Sequence, residues 1–214
     1  MTVPTDDLKV SKTFSNLFAI NPKNYKDIKA NIKKDGFRDC FPIIVWQGTD
    51  LIIDGHTRFK ACKELGVPYV NAEYIHFDSE LEAVEFAIKT QTNRRNLTGD
   101  EFLSCLNELD KLRQAGRPSK ELAQHCANLD KGKSAKQTAD ILGVSVRKVE
   151  QGRTIQDHAD DETVQAVKDG NMSINKAYNE TQAKRKEQAK EAESVDDTKF
   201  VEYDEEEEFE AKLL

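Results

Sequence analysis

Leu51-Ile52-Ile53-Asp54-Gly55-His56-Thr57-Arg58-Phe59-Lys60-Ala61-Cys62 is the stretch that decides the reading of this chain. A short apolar run ends at Asp54-Gly55, as a buried strand does before a turn. Residues 56–65 then keep helical spacing, with Phe59, Cys62 and Leu65 on one side and Gly66 as the stop. Glycine permits the tight passage from strand to helix. Such a passage leaves the first amides of the helix unpaired beside His56, Thr57 and Arg58, an arrangement that attracts phosphate. A strand, turn and helix packed only for stability is the competing reading. The Thr57 hydroxyl and Arg58 guanidinium, both good phosphate partners, favour anion binding.

Working outward, residues 1–12 are polar and read as a flexible N-terminus, and Thr13 to Ile20 reads as a first strand. Tyr25 to Lys34 has helical spacing, with Ile28 and Ile32 inward and Gly36 at the C-terminal cap. Phe41 to Trp46 and Asp50 to Ile53 read as strands joined through Gln47-Gly48-Thr49. Tyr69 to Phe77 is a further strand. Ser79 to Thr90 is a helix with Leu81, Val84 and Ile88 on one face. Strands interleaved with helices predict a small α+β domain over 13–97.

From Thr98 the strand signals stop. Thr98-Gly99-Asp100-Glu101 is a capping box that launches a helix with Phe102, Leu106 and Leu109 inward. Gly116-Arg117-Pro118-Ser119 breaks that helix. Lys131-Gly132-Lys133 reads as a basic loop, and Ser134-Ala135-Lys136-Gln137 as a second capping box. Ala139, Gly143 and Val149 then recur at the spacing of a helix-turn-helix. The small alanine lets two helices approach, the glycine makes the turn, and Val149 with Ile141 and Leu142 fills the angle between them. Ser145 caps the second helix. Lys136, Ser145, Val146, Arg147, Lys148, Gln151 and Arg153 are then available to the major groove or the phosphates of double-stranded DNA. An ordinary helical hairpin with a solvated basic face is the alternative; the coincidence of basic residues with the turn pattern favours DNA. Asp160 to Lys168 and Ser173 to about Ala189 complete an all-helical domain over 98–180, followed by a charged tail over 181–214.

Composition supports this division. The net charge is −7, but residues 191–214 hold eleven acids and two lysines, leaving +2 for residues 1–190. Between Lys111 and His158 ten Lys/Arg face five Asp/Glu, a local balance that suits DNA. The one-signed tail, poor in apolar residues, reads as disordered. No apolar run of membrane-spanning length exists, and Met1 to Asp7 lacks the pattern of a signal peptide, so a cytoplasmic protein without membrane attachment is expected. Cys40, Cys62, Cys105 and Cys126 are widely spaced and read as reduced thiols, with no metal site. Gly132-Lys133-Ser134 resembles the end of a Walker A loop, but Ala127 stands where its first glycine belongs. No G-x-G-x-x-G run marks a dinucleotide fold.

Asp54-Gly55-His56-Thr57-Arg58 resembles the phosphate-binding box of ParB/sulfiredoxin-like domains, found in partition proteins and their mobile-element relatives. The helix from Ile28 to Gly36, Pro42-Ile43-Ile44-Val45, and Asn93-Arg94-Arg95-Asn96-Leu97-Thr98 fall in that family's order, over roughly residues 13 to 180. The resemblance implies a ParB N-terminal domain followed by a helix-turn-helix domain, of the mobile-element type. It implies a phosphate pocket at Gly55, His56, Thr57 and Arg58, completed by Arg94 and Arg95, with CTP or ATP and Mg2+ as ligand. Double-stranded DNA is the implied partner, with a partition ATPase and a homodimer left open. The implied role is partition, maintenance or regulation of a plasmid, phage or integrative element.

The box departs from its relatives. Chromosomal partition proteins carry Gly-Glu-Arg-Arg-x-Arg-Ala; this chain has His56, Thr57 and Lys60 at the Glu, first Arg and last Arg, a departure that puts CTP hydrolysis in doubt while leaving a nucleotide hydrolase (CTPase) among the enzymatic readings. His56 also stands where sulfiredoxin needs its cysteine, so the reductase reading fails at that residue. The Asp-Gly-His-x-Arg form is closer to free amino-acid kinases of this fold. A small-molecule kinase or nuclease using Asp54, His56 and Arg58 therefore remains the enzymatic alternative, with Asp54 as base or metal ligand against its plainer role in forming the turn.

Overall fold

The computed structural model describes residues 1–37, 41–115 and 131–190. By their contacts the residues fall into two units, Met1–Glu150 and a second from Gln151 on.

The first unit is built on four strands, β1 (Thr2–Pro4), β2 (Ile43–Trp46), β3 (Leu51–Asp54) and β4 (Tyr69–Ile75), in the order β1-β4-β2-β3. β4 runs antiparallel to β1 and parallel to β2, and β2 runs antiparallel to β3. The sheet is thus mixed, and the class is α+β as expected. The β2–β3 hairpin turns through Gly48 and Asp50, both at positive φ. Ile43, Val45, Ile52 and Val70 are at most 1% exposed and form the centre of the sheet core. Each such side chain contributes about 1.5–3 kcal/mol of burial.

Two expectations for the N-terminus are corrected. Residues 1–12 are not loose: β1 lies on the sheet edge, with Val3 and Leu8 in its core. Three residues are too few to show an alternating pattern. Thr13 to Ile20 is not a strand either. Ser11 Oγ accepts the Thr13 amide and starts the short α1 (Lys12–Ser15), and Phe14 and Leu17, three residues apart, are both buried. That spacing belongs to a helix.

α2 (Pro22–Asp35) is capped by Asn21 Oδ1, which accepts the amides of Lys23 and Asn24, and ends on Gly36 at φ 76°. α3 (His56–Glu64) comes after β3 and packs on α2. α4 (Glu80–Thr92) buries Ala83, Val84, Ala87 and Ile88, and packs on both α5 (Gly99–Ala115) and α6 (Lys131–Leu142). This is why the first unit runs past the boundary expected at residue 97. The capping box of α5 forms as read: Thr98 N donates to Glu101 Oε2 at 3.1 Å, and Glu101 N to Thr98 Oγ1 at 3.3 Å. α6 begins at Lys131, so Lys131-Gly132-Lys133 belongs to a helix rather than a loop. Arg113 of α5 donates to Glu85 of α4 and to the buried Thr138 of α6, joining the three helices.

Cys62 and Cys105 are free and buried in this unit, and burial pushes their thiols up to about 11 and about 12. Cys40, Cys126 and the acidic stretch 191–214 lie outside the described residues.

α7 (Val146–His158) carries the chain into the second unit, which adds α8 (Asp161–Lys168) and α9 (residues 174–190). Asp160 caps α8 by accepting the Thr163 amide at 2.8 Å and also takes a bond from Lys184 of α9. Among the described residues no helix is long and apolar enough to cross a membrane.

Candidate phosphate site and nucleic-acid interface

β3 delivers the chain to Gly55, which adopts φ 99°, in the left-handed region. A Cβ placed there would lie 3.0 Å from Arg58 Nη2 and 3.4 Å from Ile43 Cα, so the position needs glycine for both conformation and space. No side chain caps α3. The Phe59 amide bonds Gly55 O at 2.9 Å, whereas among the described residues the amides of His56, Thr57 and Arg58 meet no acceptor. Three donors and the positive end of a helix therefore face one spot.

Arg58 folds back over this spot. Its Nη2 donates to Pro42 O at 3.0 Å and lies 3.7 Å from Asp54 Oδ2, while its Nε is buried with no partner. Burial lowers the guanidinium pKa, Asp54 opposes the change, and the group stays charged. Arg58 also closes one side of an apolar cavity of about 220 Å³ lined by Ile28, Ile32, Phe37 and Phe41. His56 Nε2 is buried and equally without a partner. Burial lowers its pKa against the pull of Asp54, which leaves the imidazole neutral near pH 7. Two buried nitrogens without a hydrogen-bond partner, His56 Nε2 and Arg58 Nε, thus lie beside the open amides. Thr57 is half-buried in the same turn.

The two arginines after α4 part company. Arg94, 59% exposed, reaches within 3.8 Å of Asp54 Oδ2 and joins the site. Arg95 turns away and grips the buried Glu101 with two bonds of 2.7 and 2.6 Å, so it is not brought to the pocket. The cause is the capping carboxylate, which offers a planar fork its bidentate match. Sequence reasoning missed Gln91, whose Nε2 donates to Asp54 Oδ1 at 3.0 Å. Its signal was present: Gln91 precedes Arg94 by three residues near the end of α4, a spacing that brings side chains together.

The helix-turn-helix pattern forms a helix, a turn and a helix. Gly143 sits at φ 63°, the Val144 amide bonds Ala139 O at 3.0 Å, and Ser145 Oγ accepts the Lys148 amide at 3.3 Å. Ala139, Leu142 and Val149 are at most 2% exposed. Of the side chains assigned to DNA, Lys136, Ser145, Val146 and Arg147 are exposed. Lys148 is not free: its ammonium lies over the Phe102 ring of α5 at 4.9 Å. Gln151 is 8% exposed and donates to Asn175, and Arg153 is half-buried. Helical geometry explains the loss of Gln151, which shares the inward arc of α7 with Lys148 and the fully buried Ile155.

No family model matches the chain. It is 38% identical over 101 residues to an uncharacterized protein, ORF326b, of Acidianus two-tailed virus, a match covering 47% of this chain and 30% of that protein. Two solved structures of a pNOB8-like ParB N-domain resemble it in fold. One has a TM-score of 0.58 at 19% identity, covering 83% of this chain and 77% of that one. The other has a TM-score of 0.56 at 20% identity, covering 83% and 72%. The architecture is that of a ParB N-terminal domain.

Proposed function

We propose that this is a ParB-like DNA-binding protein that serves partition, maintenance or regulation of a mobile element and is switched by a nucleotide. The observation that carries the reading is a phosphate-ready turn at Gly55–Arg58 in a chain that also forms a helix, turn and helix over Lys131–His158. The likeness to a ParB N-domain supports the same role, and the viral relative supports a mobile-element setting. In this reading the amides of residues 56–58, with Arg58 and Arg94, hold the phosphates of CTP or ATP. Ser145, Val146 and Arg147 meet DNA at the start of α7, and Lys136 meets it from α6. Double-stranded DNA is the partner, and a partition ATPase is the further partner such a role calls for.

Calorimetric titration of CTP and ATP tests the switch: saturable heat with one of them is expected, and no heat with either removes it. Arg147→Ala tests the DNA face. It avoids the Lys148–Phe102 contact, so it separates binding from stability. DNA affinity should fall about tenfold and the log–log salt slope should lose about one unit. An unchanged slope would take Arg147 out of the interface.

A further inference from the structure

We propose that the outer face of α2 and α3 is a second surface for nucleic acid, one that grips the phosphates of double-stranded DNA without reading its sequence. The proposal goes beyond the helix-turn-helix reading above and uses none of its residues.

In a chain of net charge −7, these two helices carry eight basic residues against three acids. One of the eight, Arg58, is folded into the phosphate site; the other seven are lysines. Lys23, Lys26, Lys29 and Lys33 follow one another at steps of three, three and four residues, which aligns them along one side of α2. Ile28 and Ile32 turn the other way, into the protein. Lys23, Lys26 and Lys33 are exposed, and no salt bridge to a described residue holds them. Lys29 reaches across to α3, where it bonds Glu64 at 2.6 Å. Tyr25 joins the two helices on the same side: its ring centre lies 6.0 Å from the Lys29 ammonium and 5.2 Å from that of Lys60. Lys63, exposed and three residues after Lys60, extends the surface along α3.

The chemistry of the face selects the partner. Lysine is a point charge on a flexible stem, without the planar fork of arginine. Contacts of that kind hold a phosphate backbone and carry no base information. From Lys23 to Lys33 the helix rises about 15 Å, a length over which one strand of a duplex presents about four phosphates. A lipid surface would need apolar side chains to bury beside the lysines, and none of the exposed large hydrophobic residues belongs to α2 or α3. Single strands are held by open aromatic platforms. Tyr25 is half-buried between two lysines and offers no such platform. The backbone of a duplex is the polyanion that fits.

Fluorescence anisotropy of the full chain with a labelled duplex of arbitrary sequence, measured across a salt series, decides this. In the triple variant Lys23→Gln, Lys26→Gln, Lys33→Gln the log–log salt slope should fall by about 2–3 units and the affinity at least tenfold. The matching triple replacement by arginine keeps the charge and should keep the slope. Circular dichroism checks each fold; the single glutamine variants, each expected to remove about one unit, replace the triple if it is unfolded. In the Arg147→Ala background the same loss is expected, because the two surfaces share no residue. An unchanged slope in the glutamine variant, an equal loss in the arginine variant, or a loss that vanishes with Arg147→Ala would each overturn the proposal and leave the helix-turn-helix reading standing. Lysine-dependent binding to phosphatidylserine vesicles with an unchanged DNA slope would make the face a membrane surface instead. Failure of wild type to bind any duplex would remove both readings.

Discussion

Replacing Gly55 by alanine is expected to cost the fold about 3 kcal/mol, the left-handed backbone accounting for about 1–2 kcal/mol and the crowding for the rest. The new methyl would meet Arg58 Nη2 at 3.0 Å and the backbone of Ile43 at 3.4 Å. Arg58 can move only by giving up its bond to Pro42 O, and Ile43 is locked in the sheet centre, fully buried. Gly48 supplies the control, because it has φ 84° with nothing within 4 Å of an added Cβ. Gly48→Ala should cost only the backbone part. Urea denaturation of both variants reads the difference, with the midpoint moving at constant slope. Equal losses would show that the packing around Gly55 carries no strain.

The second large effect is expected at Glu101. Its side chain is 4% exposed, accepts two bonds from Arg95, and closes the capping box of α5 through Thr98. Glu101→Ala removes all of these, a loss of about 3 kcal/mol, kept at the low end for a buried pair because Arg95 is 43% exposed. A double-mutant cycle with Arg95→Ala should show strong coupling, since either deletion strands the other partner. The pair also has a pH signature. Burial pushes the Glu101 carboxyl up, but the bonds from Arg95 and Thr98 together outweigh it and leave the pKa below its usual value. The stabilisation is therefore present above the unfolded pKa of about 4.3 and fades as pH falls from there through the folded value. Denaturation across that acid range should show the loss in wild type and a flatter profile in Glu101→Gln.

Much of the site was legible because its parts are local. The end of an apolar run, a glycine and a helical stretch specify the β3–α3 turn without knowledge of the rest of the chain. The same holds for the Thr98–Glu101 capping box and the Ala139–Gly143–Val149 pattern. What escaped depends on contacts between distant segments. β1 is visible only as a partner of β4, sixty-seven positions away at the Val3–Val70 pair. Arg94 and Arg95 are equivalent as residue types, and only the position of Glu101 separates them. Lys148 and Gln151 look like groove readers until Phe102 and Asn175 appear beneath them. The inward and outward arcs of α7 were set by burial that its own spacing did not reveal.

The two sealed thiols turn the first unit into a chemical clock. Only a thiolate reacts readily with an alkylating reagent, and Cys62 and Cys105 hold almost none at neutral pH while the fold stays shut. With Cys40 and Cys126 replaced by serine, labelling at Cys62 times the lifting of α3, and labelling at Cys105 times the parting of α5 from its neighbours. One mass spectrum then reports two opening free energies, and the effect of nucleotide or DNA on each can be followed separately.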